Sequence, residues 1–145
     1  MDNVETATGW ASTPAPADAD LLRNLALAYT VFTDNGRRDE VKALFWDDAV
    51  WDGTELGYGV GTGPEEIAEI IFSHYDPARP MFHFNGPLLL NGLGDDEVRV
   101  YSWCIASRRS DGPVIYFAYD DVVRRHPSRG WLYSYRRLVY QKKVG

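Results

Sequence analysis

The change from a helical to an extended pattern falls in residues 44–51, which read Leu-Phe-Trp-Asp-Asp-Ala-Val-Trp. Residues 38–45 put Val41, Leu44 and Phe45 on one side, which predicts a short helix. The two aspartates at positions 47 and 48 then form a turn, and the chain continues as a strand through Trp51. This stretch therefore separates a mainly helical part of the chain from the first strand.

Two longer helices lie on either side of this stretch. Residues 18–33 carry apolar side chains at spacings of three and four, which indicates an amphipathic helix that stops at Asn35-Gly36. A third helix begins at Gly63-Pro64 and runs to about residue 75. Four strands are predicted after it, over residues 81–90, 97–108, 114–125 and 131–142. Helices followed by a long antiparallel sheet make an α+β plan, and a curved sheet over helices encloses a pocket.

The bulk properties predict one domain over residues 18–145, preceded by a flexible tail over residues 1–17. The 145 residues are 45% hydrophobic and 25% charged, which is ordinary for a globular protein. The tail is rich in Ala, Thr, Pro and Asp, and its Trp10 could dock on the body or on a neighbouring subunit. A net charge of −6 without a long basic run argues against nucleic-acid binding. We see no signal peptide and no membrane-spanning run, so we expect a cytoplasmic protein with no membrane partner.

Neither a metal nor a cofactor is expected from the sequence. The single cysteine, Cys104, excludes an internal disulfide and a cysteine-rich zinc site, and its apolar flanks predict an inert core thiol. His74 follows a helix and His126 lies in a turn, without metal-ligand spacing to a carboxylate pair. The glycines of residues 57–61 precede no strong helix at the offset that a dinucleotide requires.

Asp34 and His83 are the most informative pair of polar residues. Asp34 ends the first amphipathic helix, where a carboxylate is unfavourable because the helix dipole is already negative there. His83 lies in an apolar strand, and alternation places it with Met81 and Asn85, opposite its aromatic neighbours. If the fold brings the pair together, the carboxylate holds the imidazole in one tautomer and strengthens it as a base. The alternative is a hydrogen-bonded core histidine and a turn aspartate.

This order of elements resembles the NTF2-like superfamily, and within it the SnoaL-like group, over about residues 18–141. The similarity rests on Asp34 before a turn and a short helix, residues 44–51, the helix start at Gly63-Pro64, and His83 in the strand that follows. Trp131 followed by Arg136 is similar to the family's last strand. The resemblance implies an α+β cone-shaped barrel in which a curved, mixed but mostly antiparallel sheet wraps round three helices.

The family's cofactor-independent lyases share this layout. They are of the hexachlorocyclohexane dehydrochlorinase, scytalone dehydratase and bile-acid 7α-dehydratase types. The resemblance implies His83 as general base and Asp34 as the residue that orients it. Arg136 matches an arginine of the dehydrochlorinase type, whereas Tyr29 replaces its lysine and matches the bile-acid enzyme instead. Both would assist a leaving group or oxyanion. The implied function is a dehydratase-like elimination on a hydrophobic small molecule.

The strands also supply candidates for the cavity wall, and these are Trp51, Phe82, Trp103 and Tyr119. Alternation counted from Trp131 puts Tyr133 and Tyr135 on the face of Trp131, and Arg136 on the other face.

Other functions remain open at this point. The same dyad serves an isomerase or a polyketide-type cyclase, because both begin with the same proton abstraction. A binding module or accessory protein needs only the cavity. An epoxide hydrolase would need Arg99 with Asp120 or Asp121 in the site. The resemblance also implies a homo-oligomer, either a trimer or a dimer, which a sheet face rich in Tyr and Trp would suit.

Overall fold

The computed structural model describes residue 14 and residues 16–141. The helices are α1 (Pro16–Asp34), α2 (Arg38–Lys42) and α3 (Pro64–Phe72), and a 3₁₀ turn spans Thr54–Leu56. The strands are β1 (Phe45–Asp52), β2 (Val60–Thr62), β3 (Phe82–Gly94), β4 (Glu97–Ser107), β5 (Ile115–His126) and β6 (Gly130–Tyr140). Within the described part of the chain, no helix is long and apolar enough to cross a membrane.

The six strands form one sheet in the order β2-β1-β6-β5-β4-β3. Every neighbouring pair is antiparallel except β1 and β6, which run parallel. The sheet curls round the helices as an open cone, so the predicted α+β fold and the mixed, mostly antiparallel sheet are confirmed. The four long strands fall where the sequence placed them, and the short helix ends before Phe45, which begins β1.

Helix α1 forms because its apolar side chains recur at helical spacing. The buried positions run along one face and are Ala19, Leu22, Leu25, Ala26, Tyr29, Thr30 and Thr33. The helix stops in a Schellman motif around Gly36, whose φ of 67° suits glycine. The N–H of Arg37 donates to Phe32 O at 2.9 Å, and the N–H of Gly36 donates to Thr33 O at 3.2 Å. This ending fixes the last helical residue, Asp34, against the start of β3.

The described chain enters α1 at Pro16, so the last part of the predicted tail is helical. The rest of the tail, including Trp10, and the end of the last predicted strand lie outside the described residues. The boundary between tail and domain at residue 18 stays a prediction.

The core lies between the helices and the concave face of the sheet. Even-numbered residues of β4 from Val98 to Ala106 point inward and are buried, whereas the odd-numbered ones face outward. The register of β5 and β6 shifts between Val122 and Val123, where Ser134 is the extra residue on β6. This bulge turns both Tyr133 and Arg136 inward, so the alternation predicted from Trp131 is wrong beyond Ser134.

Candidate functional site

Asp34 and His83 meet where the end of α1 faces the start of β3. Asp34 Oδ1 lies 2.6 Å from His83 Nδ1, and Asp34 Oδ2 accepts the backbone N–H of His83 at 3.1 Å. The pair is largely shielded, with 11% of the His83 side chain and 22% of the Asp34 side chain exposed. Both carboxylate oxygens are therefore engaged by one residue, which offsets the cost of a carboxylate at a helix C-terminus.

The short bond to Asp34 determines what the imidazole can do. A carboxylate accepts a hydrogen bond from Nδ1–H, so the neutral ring carries its hydrogen on Nδ1 and presents the lone pair of Nε2. His83 pairs with Ala106 across β3 and β4, on the inward face of the sheet. A histidine held in this way can accept a proton from a molecule inside the cone.

His83 lines a narrow cavity inside the cone. Its volume is about 40 Å³, which is room for a few water molecules. The inner wall is mostly apolar and aromatic and includes Tyr29, Thr33, Trp51, Met81, His83, Ala106, Phe117, Tyr119 and Leu138. Tyr58, Ile70, Arg108 and Ile115 also border surface depressions, so they mark the opening. A larger ligand must displace side chains to enter.

These residues lie within a region that a known family model describes. Residues 17–137 match the model of a SnoaL-like domain, which is most of the chain. The chain belongs to the SnoaL-like family. No curated protein matches the sequence of this SnoaL-like protein.

Solved structures with the same fold span nearly the whole SnoaL-like chain. A candidate aromatic ring hydroxylase from Novosphingobium aromaticivorans superposes with a TM-score of 0.78 at 21% identity, covering 90% of this chain and 93% of the other. A candidate scytalone dehydratase from the same organism gives 0.72 at 20% identity, covering 87% and 89%. Hexachlorocyclohexane dehydrochlorinase LinA-type3 from Novosphingobium barchaimii gives 0.67 at 20%, covering 88% and 92%. At these identities the likeness establishes the fold.

Tyr29 is the predicted site residue whose side chain can act as a proton donor. Its side chain is buried in the cavity wall, and its hydroxyl oxygen accepts Trp51 Nε1–H at 3.2 Å. Burial raises the pKa of Tyr29 above its usual value, and the nearby Arg136 guanidinium opposes that rise. The hydroxyl therefore keeps its proton, and among the described residues no acceptor takes it. It is available to a molecule in the cavity.

Arg136 is fully buried behind the wall of the cavity. Its guanidinium carbon lies 3.4 Å from the ring centroid of Tyr119, 4.1 Å from that of Tyr29 and 4.5 Å from that of Tyr133. Its Nε lies 3.6 Å from Asp121 Oδ1, an ion pair with almost no exposed surface. Arg136 does not line the cavity. It reaches the cavity only through Tyr29 and Tyr119, so its predicted assistance to a leaving group, which stays a prediction, would be indirect.

Two of the four predicted wall residues do line the cavity, and two do not. Trp51 and Tyr119 are buried in its wall. Phe82 and Trp103 are 43% and 56% exposed. They occupy the outward positions of β3 and β4, because alternation sends them away from the face that carries His83. The cavity-wall prediction is wrong for these two residues.

Several wall residues were not singled out in the sequence. Thr33 lies four residues after Tyr29 on the same helix face, and that spacing could have indicated it. Met81 was placed on the face of His83 but was given no role. Tyr58 and Arg108 come from loop and strand-end positions, and no local pattern in the sequence brings those two together.

Other chemistries find less support in the geometry. Cys104 is buried, and burial raises the pKa of its thiol to about 12, so the thiolate is disfavoured. Arg99 donates to Asp120 at 3.0 and 2.8 Å, but both lie on the outer face with Trp103, away from the cavity. This placement argues against an epoxide-hydrolase arrangement of that pair. Within residues 16–141 no three His, Cys, Asp or Glu side chains converge as a metal site.

Proposed function

We propose that this protein is a cofactor-independent lyase that performs a dehydratase-like elimination on a hydrophobic small molecule. The observation that carries the proposal is the 2.6 Å contact between Asp34 Oδ1 and His83 Nδ1 at the wall of a mostly apolar cavity. A base in such a place is held in one tautomer and is shielded from water, as proton abstraction from carbon requires.

The first step is the removal of a proton by His83. Nε2 takes a proton from a carbon next to an activating carbonyl or aromatic ring, and the ring becomes an imidazolium. Asp34 stabilises this cation through the Nδ1–H bond and through proximity of opposite charge. The electron pair of the C–H bond forms the new double bond as the leaving group departs from the neighbouring carbon.

Tyr29 is suited to the departing oxygen. Its raised pKa keeps the hydroxyl protonated, so it can donate to the leaving hydroxide and release water. The positive charge of Arg136, stacked on its ring at 4.1 Å, stabilises the tyrosinate that forms. The His83 imidazolium then transfers its proton through the cavity to the Tyr29 tyrosinate. Both side chains are neutral again, and the enzyme is ready for another turnover.

The SnoaL-like fold adds support of a weaker kind. Structures of the same fold include a candidate scytalone dehydratase and a hexachlorocyclohexane dehydrochlorinase, whose names denote eliminations of water and of hydrogen chloride. Identity to each is 20%, so the reaction of this chain rests on its own dyad and not on theirs.

A screen of eliminations tests the proposal. The purified protein is incubated with small cyclic β-hydroxy and β-halo carbonyl compounds, and products are identified by mass spectrometry and NMR. We expect an alkene together with released water or halide from at least one compound. Isomerised or cyclised products without loss of a group would assign the dyad to the alternative proton-transfer chemistry. Binding without any product would favour the alternative that the protein is a non-catalytic binding module.

A further inference from the structure

The opening of the dyad cavity faces a surface depression that carries positive charge. We define the basic vestibule as Tyr58, His74, Arg108, Arg109, Gly112 and Ile115, which border a depression of about 460 Å³. We propose that it binds a carboxylate carried by the molecule whose apolar part enters the dyad cavity. This inference rests on the proposed function, because it names the substrate class of the same site.

The basic vestibule and the dyad cavity are continuous. Tyr58, Arg108 and Ile115 border both spaces. A single molecule can therefore place a polar group beside the arginines and an apolar part beside His83, with wall side chains moving to admit it. The narrow inner cavity favours such a division, because only a small part of a ligand fits beside the dyad.

Arg108 is held in place before any ligand arrives. Its Nη2 donates to Ile70 O at 3.1 Å and contacts Ser73 Oγ at 3.3 Å, near the end of α3. Its guanidinium lies over the ring of Tyr58, 4.5 Å from the centroid. Among the described residues, Nε and Nη1 have no hydrogen-bond partner. A fixed guanidinium with free N–H groups suits a carboxylate, which accepts two parallel hydrogen bonds.

The charges around the vestibule favour an anion although the whole protein carries −6. The Arg109 guanidinium is exposed and forms no ion pair with the described residues. The nearby acids are engaged elsewhere: Glu69 binds Arg38 at 3.1 Å, and Asp76 binds Arg79 at 3.2 Å. The pKa of the Asp76 carboxyl is lowered chiefly by hydrogen bonds from the backbone N–H of Ala78 and from Arg79, and the positive charge of Arg109 adds to this without a contact.

Further acids do not reverse this balance. Asp111 lies 3.8 Å from Arg79. His74 is exposed on the rim. Two arginines with unused donors therefore face the opening, and their neighbouring carboxylates are paired with other cations.

A purely structural role explains only half of this arrangement. Arg108 satisfies carbonyls at the end of α3, and that would account for Arg108 alone. It does not account for a second arginine, Arg109, on the same depression with no partner in the described chain. The two together indicate a site for an anion, and Arg109 is the residue on which the two explanations differ.

The test compares a carboxylate with its neutral counterpart. Dissociation constants of 4-phenylbutyrate and 4-phenylbutyramide are measured by isothermal titration calorimetry, for the wild type and for Arg109→Gln. Arg23→Gln is the control, because it removes the same charge from the exposed surface of α1. We expect the wild type to bind the acid at least about tenfold more tightly than the amide. Arg109→Gln should reduce that preference without weakening the amide, because Arg108 remains, and Arg23→Gln should leave it unchanged.

Equal affinity for the acid and the amide, or a preference that is undiminished in Arg109→Gln, would overturn the assignment. The assay needs no turnover, so its outcome is separate from that of the proposed function. A carboxylate preference without elimination activity would contradict the proposed lyase function but support carboxylate binding by the basic vestibule. Elimination from neutral compounds without a carboxylate preference contradicts the vestibule alone.

Discussion

Asp34 binds His83 at two points, through the imidazole and through the backbone. Oδ1 lies 2.6 Å from Nδ1, and Oδ2 accepts the backbone N–H at 3.1 Å. The second bond fixes the carboxylate relative to the strand, so rotation of the imidazole about χ1 would break one contact without moving the other. The pair therefore ties the end of α1 to the start of β3 and orients the base at the same time.

Replacing Asp34 with asparagine tests the orienting role. An amide can donate to Nδ1, which would move the ring proton to Nε2 and remove the lone pair from the cavity. We expect turnover to fall by about 10²–10⁴-fold, and ¹⁵N NMR should show the change of tautomer. Asp47→Asn, on the exposed side of β1, is the matched control. An unchanged tautomer with full activity would show that Asp34 does not direct the ring.

Replacing Tyr29 with phenylalanine separates its chemical role from its packing. The change leaves the buried Trp51 N–H without its acceptor, which costs about 1–3 kcal/mol of unfolding free energy. Adding Trp51→Phe removes the orphaned donor as well and should recover part of the stability. Urea unfolding measures both effects. Activity should stay low in the double variant, and its return would reduce Tyr29 to a packing residue.

The buried pair of Arg136 and Asp121 predicts a stability defect that a second change repairs. Arg136→Met leaves an uncompensated carboxylate in a fully buried position, which costs about 3–5 kcal/mol. The double variant with Asp121→Leu should regain most of that stability, since both charges are gone. Denaturant unfolding of the wild type, the two single variants and the double variant gives the coupling free energy between the two charges. Simple additivity of the two losses would mean that the charges do not interact.

The outer face of the sheet predicts self-association. Phe84, Trp103 and Tyr116 are 64%, 56% and 61% exposed on neighbouring strands, an apolar surface that a monomer rarely leaves open. We expect a dimer or a trimer by size-exclusion chromatography with light scattering. Phe84→Glu should shift it toward the monomer, because it places a charge in the contact. A monomeric wild type would contradict this prediction.

Cys104 should resist alkylation in the folded protein. Its thiol is buried and burial raises its pKa to about 12, so little thiolate exists at neutral pH. Mass spectrometry after iodoacetamide treatment should show modification only when denaturant is added. Rapid labelling of the native protein would show that the thiol is reactive and would contradict this prediction.

Most of the fold could be predicted from the sequence, because it depends on local patterns, whereas the contact between Asp34 and His83 was implied only by the family resemblance. The helix that ends at Asp34 follows from apolar spacing and Gly36, and the strand of His83 from alternation. Arg136 was placed on the wrong face because the bulge at Ser134 adds one residue, and a one-residue shift reverses every following side chain. No local signal in the sequence marks that insertion.

The errors in predicting the residues of the cavity wall have a different cause. Phe82 and Trp103 were chosen as large aromatic residues, yet their alternation with His83 and the inward Cys104 already sends them outward. The rim residues Tyr58 and Arg108 come together only through tertiary packing. They are distant in sequence and lie in segments without a periodic pattern, so their contact depends on how the loop and the strand end fold over α3.

The turnover of His83→Ala tests the central claim most directly. The measurement uses a compound from which the wild type eliminates water or halide, and compares initial rates of product formation. We predict a loss of about 10²–10⁴-fold in a variant that keeps the wild-type circular dichroism spectrum. Turnover in His83→Ala close to that of the wild type would show that another group removes the proton, and the role of the Asp34–His83 pair as a general base would be rejected.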